Sequence, residues 1–382
     1  MDVWGDLPGQ EKAITALRRA VAEGNPAHAW LFTGPPGSGR SNAARAFAAA
    51  LQCQVPDPEQ RGCGTCKACI TVLAGTHPDV ALISTEKVNY QIEDVRTLIT
   101  KAQDRPSTAP WRVIIVEDAD RMTERTTNVL LKSIEEPPPH TVWMLCAPSP
   151  ADVLVTIRSR CRSVSLAVPT RQAVAELLVR RDGLTAEQAD FAARVSQSHI
   201  GVARRLARDE QARRRRDTTV RLPLRIRSVS DAVMAAAELV ELSTAEATAS
   251  STERAESEAS ALRTSLGLDA DSPIPPQQRS AFKALEENAK RRARRATTDA
   301  LDRSLIDLTT FFRDVLVLQL RSGSELVNDY LADPLHAYAN ASRSEQTIAK
   351  IDAIAEARKR IWTPGNPLLT IEAMAVSLRP AK

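Results

Sequence analysis

Short apolar runs alternate with amphipathic segments over the first part of the chain, and the two patterns have different periods. Runs of consecutive apolar residues predict β-strands at residues 30–33, 80–83, 112–116, 141–146 and 164–168. Apolar positions spaced three and four apart predict helices at residues 13–21, 41–51, 92–103 and 128–134. Because strands that alternate with helices form a parallel sheet covered on both faces, we expect an α/β domain at residues 1–169.

The pattern becomes helical after residue 169. Residues 170–216 are helical in period and strongly basic, which predicts a small helical domain. Residues 217–382 also have a helical period, and we expect a C-terminal helical domain there. Residues 245–276 are rich in Ala, Ser, Thr and Glu, and they form either a long exposed helix with a loose connection or a poorly ordered insertion. The predicted fold class is therefore α/β plus all-α.

Composition and charge narrow the choice of function only slightly. The chain has 382 residues, which is enough for two or three domains with their own cores. No apolar run is long enough to cross a bilayer and the first residues do not resemble a signal peptide, so we expect a soluble cytoplasmic protein. The net charge is only +4, so bulk charge does not indicate nucleic-acid binding. Basic clusters at residues 204–216 and 291–295 either contact DNA phosphates or form solvated helix faces.

A glycine-rich segment follows the first predicted strand and has the spacing of a phosphate-binding P-loop. Its sequence GPPGSGRS supplies Gly34, Gly37, Gly39, Arg40 and Ser41 as candidate nucleotide-binding residues. In a P-loop, backbone N–H groups converge on phosphate oxygens at a helix N-terminus, and a lysine ammonium contacts the terminal phosphates. Arg40 stands in place of that lysine, and a planar guanidinium does not replace a compact ammonium. The segment is therefore either a degenerate P-loop, at which we do not expect firm ATP or ADP binding, or a turn without a ligand.

Two carboxylates end the third predicted strand. In P-loop ATPases this position carries an aspartate that holds the metal ion, followed by a glutamate that polarises the attacking water. Here the order is inverted, with Glu117 before Asp118. Each carboxylate is one methylene away from the reach that its role needs, and a displacement on this scale lowers rates by about 100-fold. The alternative is that Asp118 and Asp120 cap a following helix.

Four cysteines lie close together after the P-loop segment. Cys53, Cys63, Cys66 and Cys69 have the spacing C-x9-C-x2-C-x2-C. Two overlapping C-x2-C turns bring three thiolates to one face, and a fourth thiolate completes the sulfur shell of a structural zinc site, so we predict a zinc module at residues 53–69. Disulfides are disfavoured in a cytosolic chain, unrelated thiols do not explain the spacing, and an iron–sulfur cluster is a further alternative. Because all four ligands are thiolates, no position is open for zinc-dependent catalysis.

Six motifs occur in order between residues 3 and 161. They are the segments at residues 3–10 (VWGDLPGQ) and 28–34 (HAWLFTG), the four cysteines, and the segments at residues 77–80 (HPDV), 128–137 (NVLLKSIEEP) and 159–161 (SRC). Together they resemble the bacterial clamp-loader family of AAA+ proteins. Within that family, the chain is more similar to the subunit with a degenerate nucleotide site than to the gamma/tau motor subunits, which keep the lysine and an Asp-Glu pair. Gly201 also stands where the motor subunits have a phosphate-sensing arginine, with Arg204 nearby.

The resemblance implies a five-subunit ring in which ATP at the subunit interfaces opens a sliding clamp and places it on primed DNA. It implies an AAA+ domain with a zinc module, a helical lid at residues 170–216 and a helical collar at residues 217–382. The implied partners are gamma/tau and delta subunits, with the clamp and primed DNA reached through the complex. Arg160 of the SRC motif would be an arginine finger that acts on the ATP of a neighbouring gamma/tau subunit. Without the resemblance, Arg160 would be interpreted as a surface arginine.

The leading expectation is a non-catalytic scaffold subunit of a DNA-replication complex. The alternative is an active ATPase, either a gamma/tau-like loader motor or another AAA+ DNA motor such as a branch-migration helicase. Arg40 and the inverted pair Glu117 and Asp118 argue against ATP hydrolysis. The cysteine cluster argues against a branch-migration motor.

Overall fold

The structure is a computed structural model that describes residues 2–85, 89–265, 275, 279–363 and 365–380. The chain divides into two compact units, Met1–Arg208 and Asp209–Lys382. Within the described ranges, no helix is both long enough and apolar enough to cross a membrane. The predicted fold class is confirmed, because an α/β sheet domain in the first unit is followed by a second unit made of helices.

Five parallel strands form the sheet of the first unit. They are β1 (Ala29–Thr33), β2 (Val80–Ile83), β3 (Arg112–Val116), β4 (Thr141–Ala147) and β5 (Arg162–Ser165). Their order is β2-β3-β4-β1-β5, and each neighbouring pair is parallel. Every residue of β1 and β4 is buried, because helices cover both faces of the sheet. This explains why the central strands appear in the sequence as continuous apolar runs.

In the described part of the first unit, nine α-helices pack on the sheet or follow it. They are α1 (Glu11–Ala22), α2 (Arg40–Leu51), α3 (Lys67–Leu73), α4 (Ile92–Gln103), α5 (Glu124–Glu135), α6 (Val155–Arg158), α7 (Arg171–Asp182), α8 (Ala186–Val195) and α9 (Ile200–Arg208). Alternate residues of β1 enter two different cores, as the period of a strand requires. Trp30 and Phe32 pack with α1 and α2, whereas Ala29 and Leu31 pack with α4 and α5.

Helix α2 is held against the sheet along most of its length. It is rich in alanine, and its residues from Ala46 to Leu51 are all buried. The ring of Phe47 meets the ring of Trp30 edge to face, with a centroid distance of 4.8 Å. Because alanine side chains are small, the helix lies close to the sheet. This close packing fixes the positions of both helix ends. The N-terminal end follows the glycine-rich loop, and the C-terminal end precedes Cys53.

The second unit consists of helices around one apolar core. They are α10 (Glu210–Arg225), α11 (Val229–Ser265), α12 (Arg279–Leu320), α13 (Ala332–Asn340), α14 (Ser344–Arg360) and α15 (Pro367–Ser377). Phe311 and Phe312 of α12 are fully buried, and both rings lie within 6.0 Å of the ring of Tyr338 on α13. Aromatic residues are few in this chain, so their collection here marks the centre of the helical core.

The basic run at residues 213–216 contributes to the structure of the second unit. Arg216 is only 4% exposed, and it donates hydrogen bonds to Asp307, the Tyr330 hydroxyl, Thr310 and Asn328. These contacts join α10 to α12 and to the segment before α13. The neighbouring arginines pair with carboxylates, Arg214 with Glu210 and Arg215 with Asp209 and Glu246. Arg215 and Arg216 of the run are therefore engaged in contacts within the unit, whereas Arg214 forms an ion pair at the surface.

Several strand and helix bounds were predicted well, and one strand was displaced. Strands β2 and β3 and helix α4 have the predicted limits. The prediction of a strand at residues 164–168 was wrong, because β5 lies two residues earlier. After Ser165, the N–H of Leu166 still donates to the Thr33 carbonyl of β1, and the next residue, Ala167, exchanges two hydrogen bonds with the Gln10 side chain.

The division into three domains stays a prediction. The boundary predicted at residue 216 lies inside α10, whereas the two compact units meet between residues 208 and 209. For the segment at residues 245–276, α11 continues as far as Ser265. Residues 266–274 and 276 lie outside the described residues, as do the side chains of the basic cluster at residues 291–295.

The HPDV motif has a structural explanation in Asp79. This carboxylate is fully buried and accepts hydrogen bonds from the backbone N–H and hydroxyl groups of Ser107 and Thr108, and from the N–H of Ala109. Burial alone would raise the pKa of Asp79, but the hydrogen bonds outweigh burial and lower the pKa to about 2. Asp79 therefore ties the start of β2 to the segment that precedes β3.

Replacing Asp79 should make the protein less stable at neutral pH and less sensitive to acid. The folded-state pKa lies below the unfolded value of about 3.9, so the stabilisation is complete above that value and is lost as the pH falls towards 2. The shift of about two pH units corresponds to about 2.5 kcal/mol at pH 7. The free energy of unfolding is measured in urea at several pH values between 7 and 2. For Asp79→Asn it should lack the part that the wild-type chain loses as the pH falls. The exposed Asp152→Asn should behave like the wild-type chain, and equal curves for Asp79→Asn and wild type would contradict this account.

Candidate functional site

The glycine-rich loop lies at the carboxyl edge of the parallel sheet, between β1 and α2. Gly37 and Gly39 have φ angles of 89° and 88°, which side-chain-bearing residues rarely adopt. A Cβ atom on Gly37 would lie 2.9 Å from the Cα of His199, so the loop and the start of α9 are in close contact. The first backbone N–H groups of α2 have no partner within the helix, which is the feature of a P-loop that binds phosphate.

Arg40 does not extend away from the loop. Its Nη1 donates a hydrogen bond to the carbonyl oxygen of Gly34 at 2.9 Å, and the side chain is half-buried. In a functional P-loop the cation at this position contacts the terminal phosphates of the nucleotide. Here the cation contacts the carbonyl group that opens the same loop. The hydroxyl of Ser38 is buried beside this contact and has no hydrogen-bond partner in the described part of the chain.

The carboxylates after β3 face arginine side chains. Glu117 Oε1 lies 3.7 Å from a guanidinium nitrogen of Arg45 on α2, and Asp118 Oδ2 lies 3.5 Å from that of Arg121. Asp118 has φ 51° and ψ 51°, so the backbone turns sharply directly after the strand. The capping alternative for Asp118 is not supported, because its side chain makes no cap hydrogen bond and α5 is capped by Thr123. Both carboxylates are therefore oriented by cations of the protein itself.

Cys53, Cys63, Cys66 and Cys69 are brought together as the sequence predicts. Their four Sγ atoms all lie within 4.8 Å of one another, and Cys53 Sγ lies 3.7 Å from Cys63 Sγ and 3.9 Å from Cys66 Sγ. A tetrahedral zinc with Zn–S bonds of about 2.3 Å has sulfur–sulfur edges of about 3.8 Å. The spacing is much longer than a disulfide bond of about 2.05 Å. The residues present thus fit a structural zinc ion.

Local backbone geometry supports the sulfur cluster. The N–H of Cys66 donates to Cys63 Sγ at 3.3 Å, and the N–H of Cys69 donates to Cys66 Sγ at 3.4 Å. The hydroxyl of Thr65 also donates to Cys63 Sγ, and it lowers the pKa of that thiol to about 6. Burial raises the pKa of Cys69. Donors to sulfur favour the thiolate form that a metal requires.

Arg160 lies at the surface, just after the short helix α6. Its side chain is 39% exposed and forms an ion pair with Glu135 at 2.5 Å, and it also donates to the carbonyl of Thr156 at 2.7 Å. Leu154 and Val155, at the start of α6, are 38% and 65% exposed. An exposed arginine is therefore flanked by exposed apolar side chains, a combination that is typical of contact surfaces between proteins.

Arg204 is engaged elsewhere. Its Nε donates to Asp182 at 3.1 Å, and Arg208 pairs with the same carboxylate, which is fully buried. The side chain that could have replaced the phosphate-sensing arginine of the motor subunits is thus held within the helical part of the unit. Its contact with Asp182 agrees with the interpretation that Gly201 occupies the sensing position, which stays a prediction.

Sequence reasoning missed three residues that shape this edge of the sheet. Gln10 accepts a hydrogen bond from the N–H of Ala167 and donates to its carbonyl, which ties the N-terminal segment to the end of β5. The hydroxyl of Tyr90 donates to the carbonyl of Glu117 at 2.6 Å. His199 packs against Gly37. All three act through partners far away in the sequence, and only Gln10 lies in one of the six motifs.

Comparison with known proteins identifies relatives of the first unit. Residues 9–170 match the family described as "DNA polymerase III, delta subunit". The DNA polymerase III subunit tau of Bacillus subtilis is 32% identical over 169 residues, which are 44% of this chain and 30% of that protein. The DNA polymerase III subunit delta' of Pseudomonas aeruginosa is 37% identical over 156 residues, 40% of this chain and 47% of that protein. The matches thus span less than half the length of either relative.

A solved structure also aligns with most of the chain. It is a DNA polymerase III gamma subunit-related protein from Thermotoga maritima, which aligns over 96% of this chain and 98% of its own, with 18% identity and a TM-score of 0.43. The sequence matches confirm the resemblance to clamp-loader subunits of DNA polymerase III that the motifs predict. Relatives of both the tau and the delta' kind match over similar lengths of this chain, so the matches do not distinguish the two subunit types.

Two glycine substitutions should separate backbone strain from close contact in the loop. Gly37→Ala and Gly39→Ala both force a side chain into the left-handed region, at a cost of about 1–2 kcal/mol. At Gly39 the nearest atom to the new Cβ is 3.8 Å away, whereas at Gly37 the new Cβ meets His199, which should add about 1–3 kcal/mol. Urea unfolding would measure both free energies. Equal destabilisation by the two variants would mean that the contact with His199 is not tight.

Proposed function

We propose that this chain is a delta'-type subunit of a bacterial DNA polymerase III clamp loader, a subunit that supports the ring without hydrolysing ATP. In support, residues 9–170 match the family described as "DNA polymerase III, delta subunit". The observation that carries the proposal is the hydrogen bond from the Arg40 guanidinium to the Gly34 carbonyl. The partners would be gamma/tau and delta subunits, and the sliding clamp and primed DNA would be reached through the complex in the bacterial cytoplasm.

Two features of the nucleotide edge support a non-hydrolysing role. The cation of the loop is used within the loop, so a phosphate group would first have to displace the Gly34 carbonyl from Arg40. Glu117 and Asp118 stand in inverted order, and each lies within 3.7 Å of an arginine. A glutamate that is drawn to Arg45 is not free to polarise an attacking water. Passive nucleotide binding through the loop N–H groups and Ser41 is compatible with both features.

The chain would act chemically on a neighbouring subunit through Arg160. A guanidinium delivered in trans stabilises the charge that develops on a transferred phosphoryl group. The ion pair with Glu135 would have to open for this contact, and because both side chains are about 40% exposed, opening costs at most about 1 kcal/mol. The exposed Leu154 and Val155 beside Arg160 give a neighbour an apolar surface to pack against.

The second candidate is an active gamma/tau-type motor, and the match to the tau subunit of Bacillus subtilis favours it. A reconstitution separates the two functions. This chain is mixed with the gamma/tau and delta subunits and the sliding clamp of the same organism, and clamp loading onto primed DNA is measured. We expect that loading requires this chain together with gamma/tau. Loading by this chain and delta without gamma/tau would show that it is a motor itself.

Removing Arg160 should lower ATP turnover of the reconstituted loader only in part. An arginine finger contributes on the order of 10³ to 10⁵ in rate at the site it serves, but only one site of the ring would lose it. Arg160→Ala should therefore reduce clamp-stimulated ATPase while the subunit still folds and assembles. Arg158→Ala is the matched control in the same turn, and Arg160→Lys should restore little because a point charge lacks the planar fork. Wild-type turnover with Arg160→Ala would make Arg160 a surface arginine.

We also propose that the four cysteines hold one structural zinc ion. The sulfur–sulfur distances of 3.7 Å and 3.9 Å fit its tetrahedron. Metal analysis of protein purified without added zinc should find about one zinc per chain. Cys66→Ser should lose the metal and lower the melting temperature, since thiolate–zinc bonds contribute to folding. Cys161→Ser, outside the cluster, should keep the metal. Folded wild-type protein with no zinc would refute the site.

A further inference from the structure

The second unit contains a cavity of about 690 Å³ that the proposed function does not use. Its walls come from the end of α10, the last turns of α13, the first turns of α14 and Pro380. Apolar side chains of Pro223, Leu224, Ile226 and Pro334 form part of the lining. The lining is polar and apolar in about equal parts, and a concave site of this size can hold a small organic molecule.

The charge of the lining has one sign. Arg227, Arg343 and Lys350 line the cavity, and among the described residues no aspartate or glutamate does. Arg227 and Arg343 are exposed, whereas Lys350 is only 5% exposed. The cavity thus combines one buried cation with two cations that remain in contact with solvent.

Lys350 has no negative partner. Its Nζ donates a hydrogen bond to the Tyr338 hydroxyl at 2.7 Å, and among the residues that the structure describes no carboxylate lies within ion-pair distance of it. Burial raises the pKa of Tyr338 to about 12, so this hydroxyl is neutral at pH 7 and does not balance the ammonium. Nζ also lies 5.0 Å from the centroid of the Tyr338 ring and 5.8 Å from that of the Phe312 ring, so two aromatic rings attract the ammonium but neither supplies a counter-charge.

Arg216, another buried cation of this unit, has the contacts that are expected of a cation with a structural role. Arg216 is buried to a similar degree, but it pairs with Asp307 and donates to Asn328. A buried charge without such partners costs several kcal/mol, and proteins seldom keep one that has no use. Lys350 differs from Arg216 in two respects, since it has no counter-charge and it lines a cavity that can admit one.

We propose that this cavity binds a small organic anion, whose carboxylate or phosphate group contacts Lys350 and Tyr338. Tyr338 accepts the hydrogen bond of Lys350 with its oxygen, so its own O–H proton can be donated to the anion. Charge-assisted hydrogen bonds from both groups would hold the anionic end. The apolar part of the ligand would pack against Pro223, Leu224 and Ile226.

The test uses three ring compounds of similar size on the full chain. Benzoate carries a carboxylate, phenyl phosphate carries a phosphate, and benzyl alcohol is neutral. With lysine labelled with carbon-13 at Cε, NMR titration should show saturable shifts of the Lys350 signal with at least one of the anions. The pKa of Lys350 should rise on binding, because an anion stabilises the ammonium. Tighter binding of benzoate or of phenyl phosphate identifies the preferred anionic group.

Matched variants assign the binding to this cavity. Lys350→Met should weaken binding of the anion at least tenfold, measured by calorimetry, and Tyr338→Phe should weaken it less. Lys359→Met, at an exposed position of the same helix, should bind like the wild-type chain. Should Lys350→Met fail to fold, Arg343→Ala at the exposed rim should still reduce the affinity severalfold. The proposal is overturned if neither anion binds saturably, if benzyl alcohol binds as well as benzoate, or if a folded Lys350→Met variant keeps wild-type affinity.

Discussion

The Arg40 guanidinium donates a hydrogen bond to the Gly34 carbonyl and so closes the loop between β1 and α2. The proposed function of the first unit depends on this contact. With this hydrogen bond, the backbone keeps the geometry of a phosphate-binding loop. The cation that contacts phosphate in a functional P-loop contacts a backbone carbonyl here. Helix α2 connects this loop to the cysteine cluster. Its buried, alanine-rich face packs on the sheet and fixes both of its ends. Under the proposed function, the domain would keep the shape of a nucleotide-binding unit without the placement of charge that hydrolysis needs.

Two arginines of the first unit have opposite roles. Arg40 is half-buried and donates to the backbone of its own loop, whereas Arg160 is exposed and is held by a solvent-accessible ion pair with Glu135 and a hydrogen bond to the Thr156 carbonyl. The first arrangement stabilises a fixed loop. The second lets a side chain exchange one anionic partner for another at little cost in free energy. Together they fit a subunit that contributes to a neighbour's chemistry rather than its own.

The sequence predicted local features well and long-range polar contacts poorly. Strand β3 and helix α4 were predicted to the residue, because their apolar periodicity is strong and their ends are marked by polar residues. The cysteine cluster was predicted from spacing alone, since its ligands lie close together in the sequence. Strand β5 was displaced towards the N-terminus, and the backbone that follows it binds Gln10, which is far away in the sequence. The partners of Asp79 and Arg216 could not be inferred from any local pattern for the same reason.

ATP hydrolysis by the purified chain tests the central claim most directly. Steady-state turnover is measured for the wild-type chain, for Arg40→Lys and for Arg40→Ala, and nucleotide binding is measured separately. We predict no turnover above background for any of the three, because restoring the lysine leaves Glu117 and Asp118 in inverted order. Hydrolysis by the wild-type chain that is abolished by Arg40→Ala would contradict the account and show that the chain is a motor.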